Sequence, residues 1–309
     1  MRKFSRTQTI LLIIVLITVW GLNWPISKIA LAYSPPILFS GIRTLLGGLV
    51  LLLVAIPRYR RINLREAWPV YLMCALLNVA LYHGLNTVGL GYMPSGLLAA
   101  IVFLQPVLVG IFAWMWLGES MYGLKIVGLI LGFSGVSIIS GAGLSGHVSI
   151  IGILLALGSA LSWALGTVYL KRIGSAVDSI WLVTLQFILG GLLLSSIGTG
   201  FESWSDIQWS LTFGLCLLFI SVFVFALGWL VYFELIFAGE ASKVASYTFL
   251  IPAVAIGIGT IFMNEPFTIS LMFGLVLILI SIFCVNFTRR TEKGVNLYGN
   301  ESTINKVKG

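Results

Sequence analysis

The segments ILLIIVLITVW (Ile10–Trp20) and LMFGLVLILISIFCV (Leu271–Val285) stand near the two ends of the chain and contain no charged residue. Neither segment alternates between apolar and polar side chains, as the strands of a transmembrane β-barrel do. Apolar runs of about 18 to 22 residues recur along the chain, and helices of that length cross a hydrocarbon core roughly 30 Å thick. Helices satisfy their own backbone hydrogen bonds in lipid. The pattern therefore predicts an all-α integral membrane protein.

The composition is incompatible with a water-soluble surface. Of the 309 residues, 59% are hydrophobic and 9% are charged, and the mean hydropathy is +1.07. Soluble domains contain roughly 25% charged residues. The formal net charge of +8 comes from basic residues at the ends of apolar runs, not from a patch that would fit a nucleic-acid groove. We therefore expect the lipid bilayer as a partner and no nucleic acid.

Several classes of chemistry find no support in the sequence. Cys74, Cys216 and Cys284 each stand inside an apolar run, without a CxxC pair or a nearby His, which predicts packing residues and no metal site. The chain contains no GxxxxGK[ST] loop, so we do not expect it to drive transport with ATP. Two His residues and few embedded acids do not make a catalytic set. We predict no catalytic residues, no cofactor and no enzymatic activity.

Polar and Gly/Pro-rich breaks divide the apolar runs from one another. The polar tail at 289–309 is rich in Asn and Lys and lacks apolar periodicity, so we expect it to be disordered and cytoplasmic. Between the breaks we predict ten transmembrane helices, near residues 10–31, 37–56, 68–88, 94–117, 121–140, 149–170, 180–198, 209–236, 240–263 and 268–287.

The chain also resembles itself at long range. Trp20 and Trp163 are 143 residues apart, as are the pairs Gly47-Gly48 and Gly190-Gly191. Further along, Pro106 matches Pro252 and Glu119 matches Glu265 at a separation of 146 residues. These matches predict two five-helix repeats, at residues 1–143 and 144–288. An odd number of crossings in each repeat inverts the second repeat relative to the first, an arrangement found in many secondary transporters.

The basic residues predict the orientation in the membrane. Cytoplasmic loops carry an excess of Lys and Arg. With the N-terminus inside, only Lys28 and Arg43 fall toward the outside. We therefore predict a multi-pass protein of the cell membrane, inner or plasma, with both termini cytoplasmic. The residues that fall inside are Arg2, Lys3, Arg6, Arg58, Arg60, Arg61, Arg65, Lys125, Lys171, Arg172, Lys243 and the cluster that begins with Arg289.

Several motifs in a fixed order resemble one family of transporters. They are Trp20-Gly21-Leu22-Asn23-Trp24, Arg43, and Leu117-Gly118-Glu119 with the glycines 128, 132 and 135 after it; Asn264-Glu265-Pro266 takes the place of the third motif in the second half. From residue 8 to 288 the chain is similar to EamA-type members of the drug/metabolite transporter superfamily. This resemblance implies export of amino acids, drugs or other metabolites by alternating access between two pseudosymmetric halves. The chain departs at Gln186, which stands where the repeat would place the counterpart of Arg43.

Two polar stripes in the first half are candidate substrate-binding surfaces. Asn side chains are costly in the membrane unless they are paired, so a stripe lines a cavity or joins two helices. The stripes have helical spacing and share one face of their helix. The first consists of Trp20, Asn23, Trp24 and Ser27; the second consists of Asn78, Tyr82 and Asn86, with His83 beside it.

The second half supplies aromatic candidates for the same site. Aromatic walls with a few polar groups are typical of pockets for small apolar or ring-bearing molecules. We expect the site between the halves near the bilayer midplane, marked by Trp20 and its repeat counterpart. The alternative is that the two tryptophans only pack the lobes together. The candidates in this half are Trp163, Thr167, Trp229, Tyr232 and Tyr247.

Arg43 stands more than one turn inside the second predicted helix. A charge at that depth must snorkel to the interface, pair with an acid or face water. No acid lies close to Arg43 in the sequence. If the side chain faces the pathway, it favours an anionic or zwitterionic cargo.

The remaining candidates concern coupling and gating. Glu234 and His83 are titratable residues that we place within spans, so protons are a candidate coupling ion. Pro106 and Pro252 hold matched positions in the fourth and ninth helices and are candidate hinges. We predict a secondary transporter that exports a small organic substrate such as an amino acid. A passive channel or facilitator is the first alternative, and a membrane-embedded lipid-modifying enzyme is the second.

Overall fold

A computed structural model describes residues 4–89, 92, 98, 101–141, 149–173, 177–254, 257 and 269–287. Every regular element in these ranges is helical. The predicted tail, Glu265, and parts of the predicted fourth and ninth helices lie outside the described residues.

Twelve α-helices have defined bounds in the described part of the chain. In the first half they are α1 Arg6–Ala30, α2 Pro36–Ala55, α3 Leu64–Cys74, α4 Tyr82–Gly89, α5 Gln105–Leu117 and α6 Gly123–Gly141. In the second half they are α7 Ile150–Ile173, α8 Ser179–Phe201, α9 Leu211–Phe219, α10 Trp229–Ala238, α11 Ala241–Ser246 and α12 Ile269–Asn286.

Two long helical rods are each built from two α-helices and a π-helical segment. The segment Ala75–Leu81 joins α3 to α4, and the segment Ile220–Gly228 joins α9 to α10. These rods are the predicted third and eighth helices, which the repeat makes equivalent. A π turn inserts an extra residue into an α-helix and often occurs at functional sites.

The described helices are long and apolar enough for a membrane protein that crosses the bilayer several times. Among the described residues, six helical stretches qualify as spans by length and composition, and three further apolar helices are shorter. The prediction of an all-α membrane protein is therefore confirmed, and the number of ten crossings stays a prediction. The six stretches are Thr7–Ser27, Pro36–Arg61, Leu64–Gly89, Ile150–Ile173, Ser179–Phe201 and Leu211–Ala238.

Local signals set two of the helix ends. Ser5 accepts a hydrogen bond from the Gln8 main-chain N–H at 3.2 Å, and the Gln8 side chain accepts one from the Ser5 N–H at 2.9 Å. This capping box satisfies donors that the first turn leaves free, so α1 starts at Arg6, before the predicted residue 10. Directly after α5, Gly118 has a φ of 68°. Glycine adopts this left-handed conformation without strain, so it ends the helix and redirects the chain.

Helices α2 and α8 pack closely through glycines. A Cβ atom at Gly48 would lie 2.8 Å from the Ile188 nitrogen, and one at Gly191 would lie 2.6 Å from the Leu45 nitrogen. A Cβ atom at Gly198 would meet the Leu38 side chain at 2.8 Å. Small residues allow such close approach of membrane helices. Because each step forward along α2 meets a step backward along α8, these two repeat-equivalent helices run antiparallel.

Helices α6 and α12 form a second pair of the same kind. A Cβ atom at Gly128 would lie 2.9 Å from the Cys284 Cβ, and one at Gly135 would lie 2.7 Å from the Gly274 carbonyl oxygen. Position 128 thus lies beside the end of α12, and position 135 lies beside its beginning. This pair, in which Gly128 and Gly274 are repeat-equivalent, is also antiparallel.

Candidate functional site

Five aromatic side chains from both halves meet in the interior. We call them the aromatic cluster: Trp20, Tyr82, Trp163, Trp229 and Tyr232. The Trp20 ring centroid lies 5.8 Å from Trp163, 5.3 Å from Trp229 and 5.2 Å from Tyr232, and Tyr82 lies 4.8 Å from Trp163. These rings are tilted relative to one another, at separations typical of aromatic pairs. Trp163 and Trp229 are each 2% exposed. The structure therefore brings together the two repeat-related tryptophans that the sequence singled out.

The π-helical segments position part of this cluster. Tyr82 is the first residue of α4, directly after one segment, and Trp229 is the first residue of α10, directly after the other. Trp20 packs on the second segment, where its Nε1 donates to the Val224 carbonyl oxygen at 3.4 Å. A Cβ atom at Gly228 would lie 2.5 Å from that nitrogen. Glycine is therefore required where the Trp20 ring approaches the backbone.

Two polar side chains are hydrogen-bonded to Tyr232, a member of the cluster. The Tyr232 hydroxyl accepts a hydrogen bond from Gln105 Nε2 at 3.4 Å and shares another with the Thr167 hydroxyl at 3.2 Å. All three residues are fully buried. Thr167 and Tyr232 were predicted site residues, and Gln105 was missed. A lone Gln in an apolar run was the signal that could have found it, since an amide within the membrane needs a partner.

A second amide pair joins the halves beside the cluster. Asn78 Nδ2 donates to Gln186 Oε1 at 3.4 Å, and both side chains are fully buried. A Cβ atom at Gly166 would collide with the Asn78 side chain, so glycine at that position allows the contact. Gln186, the residue that departs from the family pattern, is thus a partner of a predicted site residue.

Several buried polar atoms in this region have no hydrogen-bond partner among the described residues. Almost all buried polar groups in proteins are paired with other protein groups or with ordered water. Unpaired donors and unpaired acceptors are both present. They are Arg43 Nε, Trp163 Nε1, Gln186 Nε2, His83 Nε2, Asn78 Oδ1 and Gln105 Oε1.

Arg43 is held inside the protein and does not snorkel. The residue is 8% exposed, and its guanidinium donates to the Ser27 hydroxyl at 3.1 Å and to the Ser40 hydroxyl at 3.3 Å. The rings of Phe39 and Phe225 lie 4.8 and 5.3 Å from its central carbon. Each of these partners is electrically neutral.

Asn23 belongs to the same polar group as Arg43. Its Oδ1 accepts a hydrogen bond from the Ser27 hydroxyl at 3.1 Å. The first polar stripe of α1 therefore meets α2 through Ser27. The Trp24 side chain lies outside the described residues.

The two candidates for proton coupling have different surroundings. His83 is buried against the cluster, with ring centroids 4.4 Å from Tyr82 and 6.2 Å from Trp229. Glu234 is half-buried on α10 and accepts a short hydrogen bond from the Ser179 hydroxyl at the start of α8. The structure places only His83 against the aromatic cluster.

Two other predicted residues make no described contact with the cluster. Tyr247 is half-buried, and its hydroxyl donates to Asn286 Oδ1 on α12 at 3.2 Å. Asn86 is half-buried on α4. The hydroxyl of Tyr247 therefore contacts α12.

The predicted hinge prolines follow breaks at equivalent positions. Helical residues 101–102 are separated from α5 by a turn at 103–104, and Pro106 lies in the first turn of α5. The chain makes a 3₁₀ turn at Tyr247–Phe249, three residues before Pro252. Proline is tolerated in the first turn of a helix, because the N–H that it lacks has no partner there.

A carboxylate from the first half caps a helix of the second. The Glu119 oxygens accept hydrogen bonds from the N–H of Ala241 at 2.5 Å, from the N–H of Ser242 at 3.3 Å, and from the Ser242 hydroxyl. Lys125 is fully buried, with its Nζ 3.5 Å from Glu119 and 3.8 Å from Glu240. Glu119 therefore caps α11 and lies beside a buried cation.

The converse contact occurs at the start of α2. The Glu202 oxygens accept from the N–H groups of Ile37 at 2.9 Å and Leu38 at 2.7 Å. A carboxylate at the N-terminus of a helix satisfies free donors and interacts favourably with the helix dipole. Each half thus provides a glutamate that caps a helix of the other half.

The described residues contain no group of three or more His, Cys, Asp and Glu side chains that would hold a metal ion. A surface groove of about 610 Å³ opens beside the Glu119 cap. Lys171 at its edge donates to the carbonyl oxygens of Ile236, Phe237 and Gly239 at the end of α10. This lysine therefore stabilises the C-terminus of a helix.

Comparison with known proteins identifies relatives along nearly the whole chain. A Bacillus subtilis (strain 168) protein described as "Uncharacterized transporter YvbV" is 58% identical, over 97% of this chain and 99% of its own length. An Escherichia coli (strain K12) protein described as "Probable amino-acid metabolite efflux pump" is 28% identical, over 95% of this chain and 99% of its own length.

One solved crystal structure has the same fold. It superimposes with a TM-score of 0.80 over 91% of this chain and 97% of its own, at 18% sequence identity. The EamA-like transporter family matches residues 7–141 and, a second time, residues 150–287. These two matches fall on the two predicted repeats. Together with the relatives that align from end to end, they show that this chain belongs to the EamA-like transporter family.

Proposed function

We propose that this protein is a secondary transporter that exports small organic metabolites such as amino acids from the cell by alternating access. The observation that carries the proposal is the aromatic cluster, in which Trp20 and Trp163, equivalent in the repeat, lie 5.8 Å apart. Inverted-repeat transporters bind their substrates at the interface of the repeats near the bilayer midplane. Relatives described as amino-acid metabolite efflux pumps, in Escherichia coli and Salmonella typhimurium, support the substrate class and the direction.

The antiparallel helix pairs support an inverted arrangement of the two repeats. In α2 with α8, and in α6 with α12, equivalent helices run in opposite directions. The turns that precede Pro106 and Pro252 also stand at equivalent positions. In our proposal they let the fourth and ninth predicted helices bend as the cluster is exposed to one side of the membrane and then to the other.

In this mechanism the cluster binds the apolar part of the cargo, and the amides beside it orient the polar part. Trp20, Trp163 and Tyr82 form the walls, while Gln105 and Asn78 each keep one carbonyl oxygen without a partner in the described part of the chain. Protons are the proposed coupling ion, with His83 and Glu234 as the candidate carriers. We place the protein in the cell membrane with both termini in the cytoplasm, since that orientation puts most basic loops inside.

The test is transport by the purified protein in proteoliposomes. Vesicles are loaded with an unlabelled solute, and uptake of radiolabelled amino acids and nucleosides is measured with and without an imposed proton gradient. We expect saturable uptake and counterflow of at least one solute. Trp163→Ala tests the site, and empty vesicles are the negative control. Trp114→Ala is the matched control variant, because Trp114 is 54% exposed on α5.

Three outcomes contradict the proposal. Flux that rises linearly with concentration and lacks counterflow indicates a passive channel. Turnover of a membrane lipid without solute flux indicates an enzyme. Equal loss of activity in Trp163→Ala and Trp114→Ala places the site away from the aromatic cluster.

A further inference from the structure

We infer that the cargo carries a carboxylate that binds to Arg43, with its apolar part against the aromatic cluster. The inference deepens the proposed function and rests on it. It identifies the substrate class as carboxylates with an apolar or ring-bearing side chain. Zwitterionic amino acids are members of this class.

Two buried cations of the described chain differ in how their charge is balanced. Lys125 is fully buried, and the carboxylates of Glu119 and Glu240 lie within 4 Å of its Nζ. Arg43 is 8% exposed, and it takes part in none of the ion pairs found among the described residues. A buried charge without a counter-ion is costly. The balance at Arg43 can be completed by an anion that binds and leaves.

The hydrogen bonds of Arg43 leave one edge of the guanidinium without a partner among the described residues. Ser27 and Ser40 each receive one N–H from the two terminal nitrogens, and no described residue pairs with the Nε–H. Of the five N–H donors of an arginine, the Nε–H and the remaining terminal N–H groups match the two oxygens of a carboxylate. A guanidinium fixed by two serines is already oriented for such a bidentate contact.

Aromatic contacts connect the Arg43 guanidinium to the cluster. The Phe225 ring lies 5.3 Å from the Arg43 central carbon and 5.1 Å from the His83 ring. The His83 ring in turn contacts Tyr82 at 4.4 Å and Trp229 at 6.2 Å. In our proposal one small molecule places its carboxylate at Arg43 and its side chain against the cluster at the other end of this chain of contacts. Aromatic faces also attract the ammonium group of an amino acid.

Only the first half provides an arginine at this position of the repeat. The counterpart of Arg43 in the second half is Gln186, which is neutral and paired with Asn78 at 3.4 Å. A carboxylate therefore finds its charged partner in the first half alone. The cargo keeps one orientation relative to the first half while the two halves move.

The experiment compares amino acids with their C-terminal amides, which keep the ammonium group and lack the carboxylate, in proteoliposomes. The probes are L-phenylalanine and L-leucine against L-phenylalaninamide and L-leucinamide, each as a competitor of the saturable flux. We expect wild-type protein to prefer each acid over its amide by about tenfold or more, because hydrogen bonds to a charged group are stronger than neutral ones. In Arg43→Gln this preference is lost while the amides still compete, and in Arg43→Lys part of it remains.

The matched control is Arg58→Gln. Arg58 is an exposed arginine after the end of α2, and replacing it leaves the preference for acids unchanged. A second measurement, the thermal stabilisation of wild-type protein by each acid and amide, needs no variant. It decides the question if Arg43→Gln does not fold.

Failure of this inference differs from failure of the proposed function. Saturable flux with equal competition by acids and amides overturns the inference and leaves the transporter assignment standing. The same holds if folded Arg43→Gln keeps the full preference for acids, or if acids and amides stabilise the wild-type protein equally. If wild-type protein moves no solute in a saturable way, the proposed function itself is wrong.

Discussion

The Glu119 carboxylate accepts a hydrogen bond of 2.5 Å from the main-chain N–H of Ala241, which belongs to the other half of the chain. Ala241 is the first residue of α11, where a helix has N–H groups without partners. The same carboxylate lies 3.5 Å from the buried Lys125 amine. Glu119 thus satisfies a helix terminus and a buried cation at once, and it couples the two halves at this end of the molecule.

Replacement of Glu119 tests this coupling. We expect Glu119→Gln to lower the free energy of unfolding by about 1–3 kcal/mol, because it removes the charge from a cap and leaves Lys125 with a weaker partner. The measurement is thermal unfolding of the purified protein in detergent. Glu66→Gln is the control, since Glu66 is exposed and caps no helix of the other half. Equal midpoints for wild type and Glu119→Gln would rule out this role.

The repeat predicts a second cap at the opposite end. Glu265 is the counterpart of Glu119, and the 146-residue offset relates Ala241 and Ser242 to Ser95 and Gly96. These three counterparts lie outside the described residues. We expect cysteines at positions 95 and 265 to form a cross-link with a short bifunctional reagent, in a variant without the native cysteines. Absence of this cross-link, when cysteines at 119 and 241 react, would restrict the cap to one half.

The role of Trp20 can be separated from simple packing. We expect Trp20→Phe and Asn23→Ala to reduce apparent substrate affinity several-fold or to change the order of preferred substrates, at normal expression. The indole of Trp20 contacts three rings of the cluster and donates to Val224. Trp114→Phe, on an exposed residue, is the matched control.

A packing role for Trp20 predicts a different result. If the two variants lower protein level and thermal stability while affinity and substrate order stay as in wild type, the tryptophan only packs the lobes together.

Proton coupling is tested at the two titratable candidates. We expect His83→Gln or Glu234→Gln to abolish uptake driven by a pH gradient while counterflow, which needs no net proton movement, continues. His83 lies against the cluster, and Glu234 accepts a hydrogen bond from Ser179. Ser179→Ala serves as a control for loss of that hydrogen bond without loss of the carboxylate. Gradient-driven uptake that persists in both variants would exclude both residues as proton carriers.

The orientation in the membrane is tested with single cysteines. Ser205 is exposed in the connection between α8 and α9, and Tyr59 is exposed after α2. We expect Ser205→Cys to react with an impermeant maleimide in intact cells, and Tyr59→Cys to react only after permeabilisation. The opposite pattern would reverse the orientation, and labelling of both cysteines from the cytoplasm would contradict an inverted repeat.

The linear sequence was sufficient for the class of the protein and for the centre of the candidate site. Long apolar runs require helices in lipid whatever their neighbours are, because no other open structure satisfies its backbone there. The family assignment followed from the order and duplication of short motifs. Trp20 and Trp163 were found because the repeat relates them, and the structure places them 5.8 Å apart.

The partners of the polar side chains were decided only by the tertiary structure. Gln105 reaches Tyr232, Asn78 reaches Gln186, and Glu119 reaches α11, each across more than 100 residues of sequence. Helical periodicity shows which residues share a face, but it does not show which helix that face will meet. The π-helical segments add a second reason, since the extra residue in each turn rotates the face that follows. Tyr247 illustrates the result: the sequence shows an aromatic residue, and only the tertiary structure shows that its hydroxyl donates to Asn286.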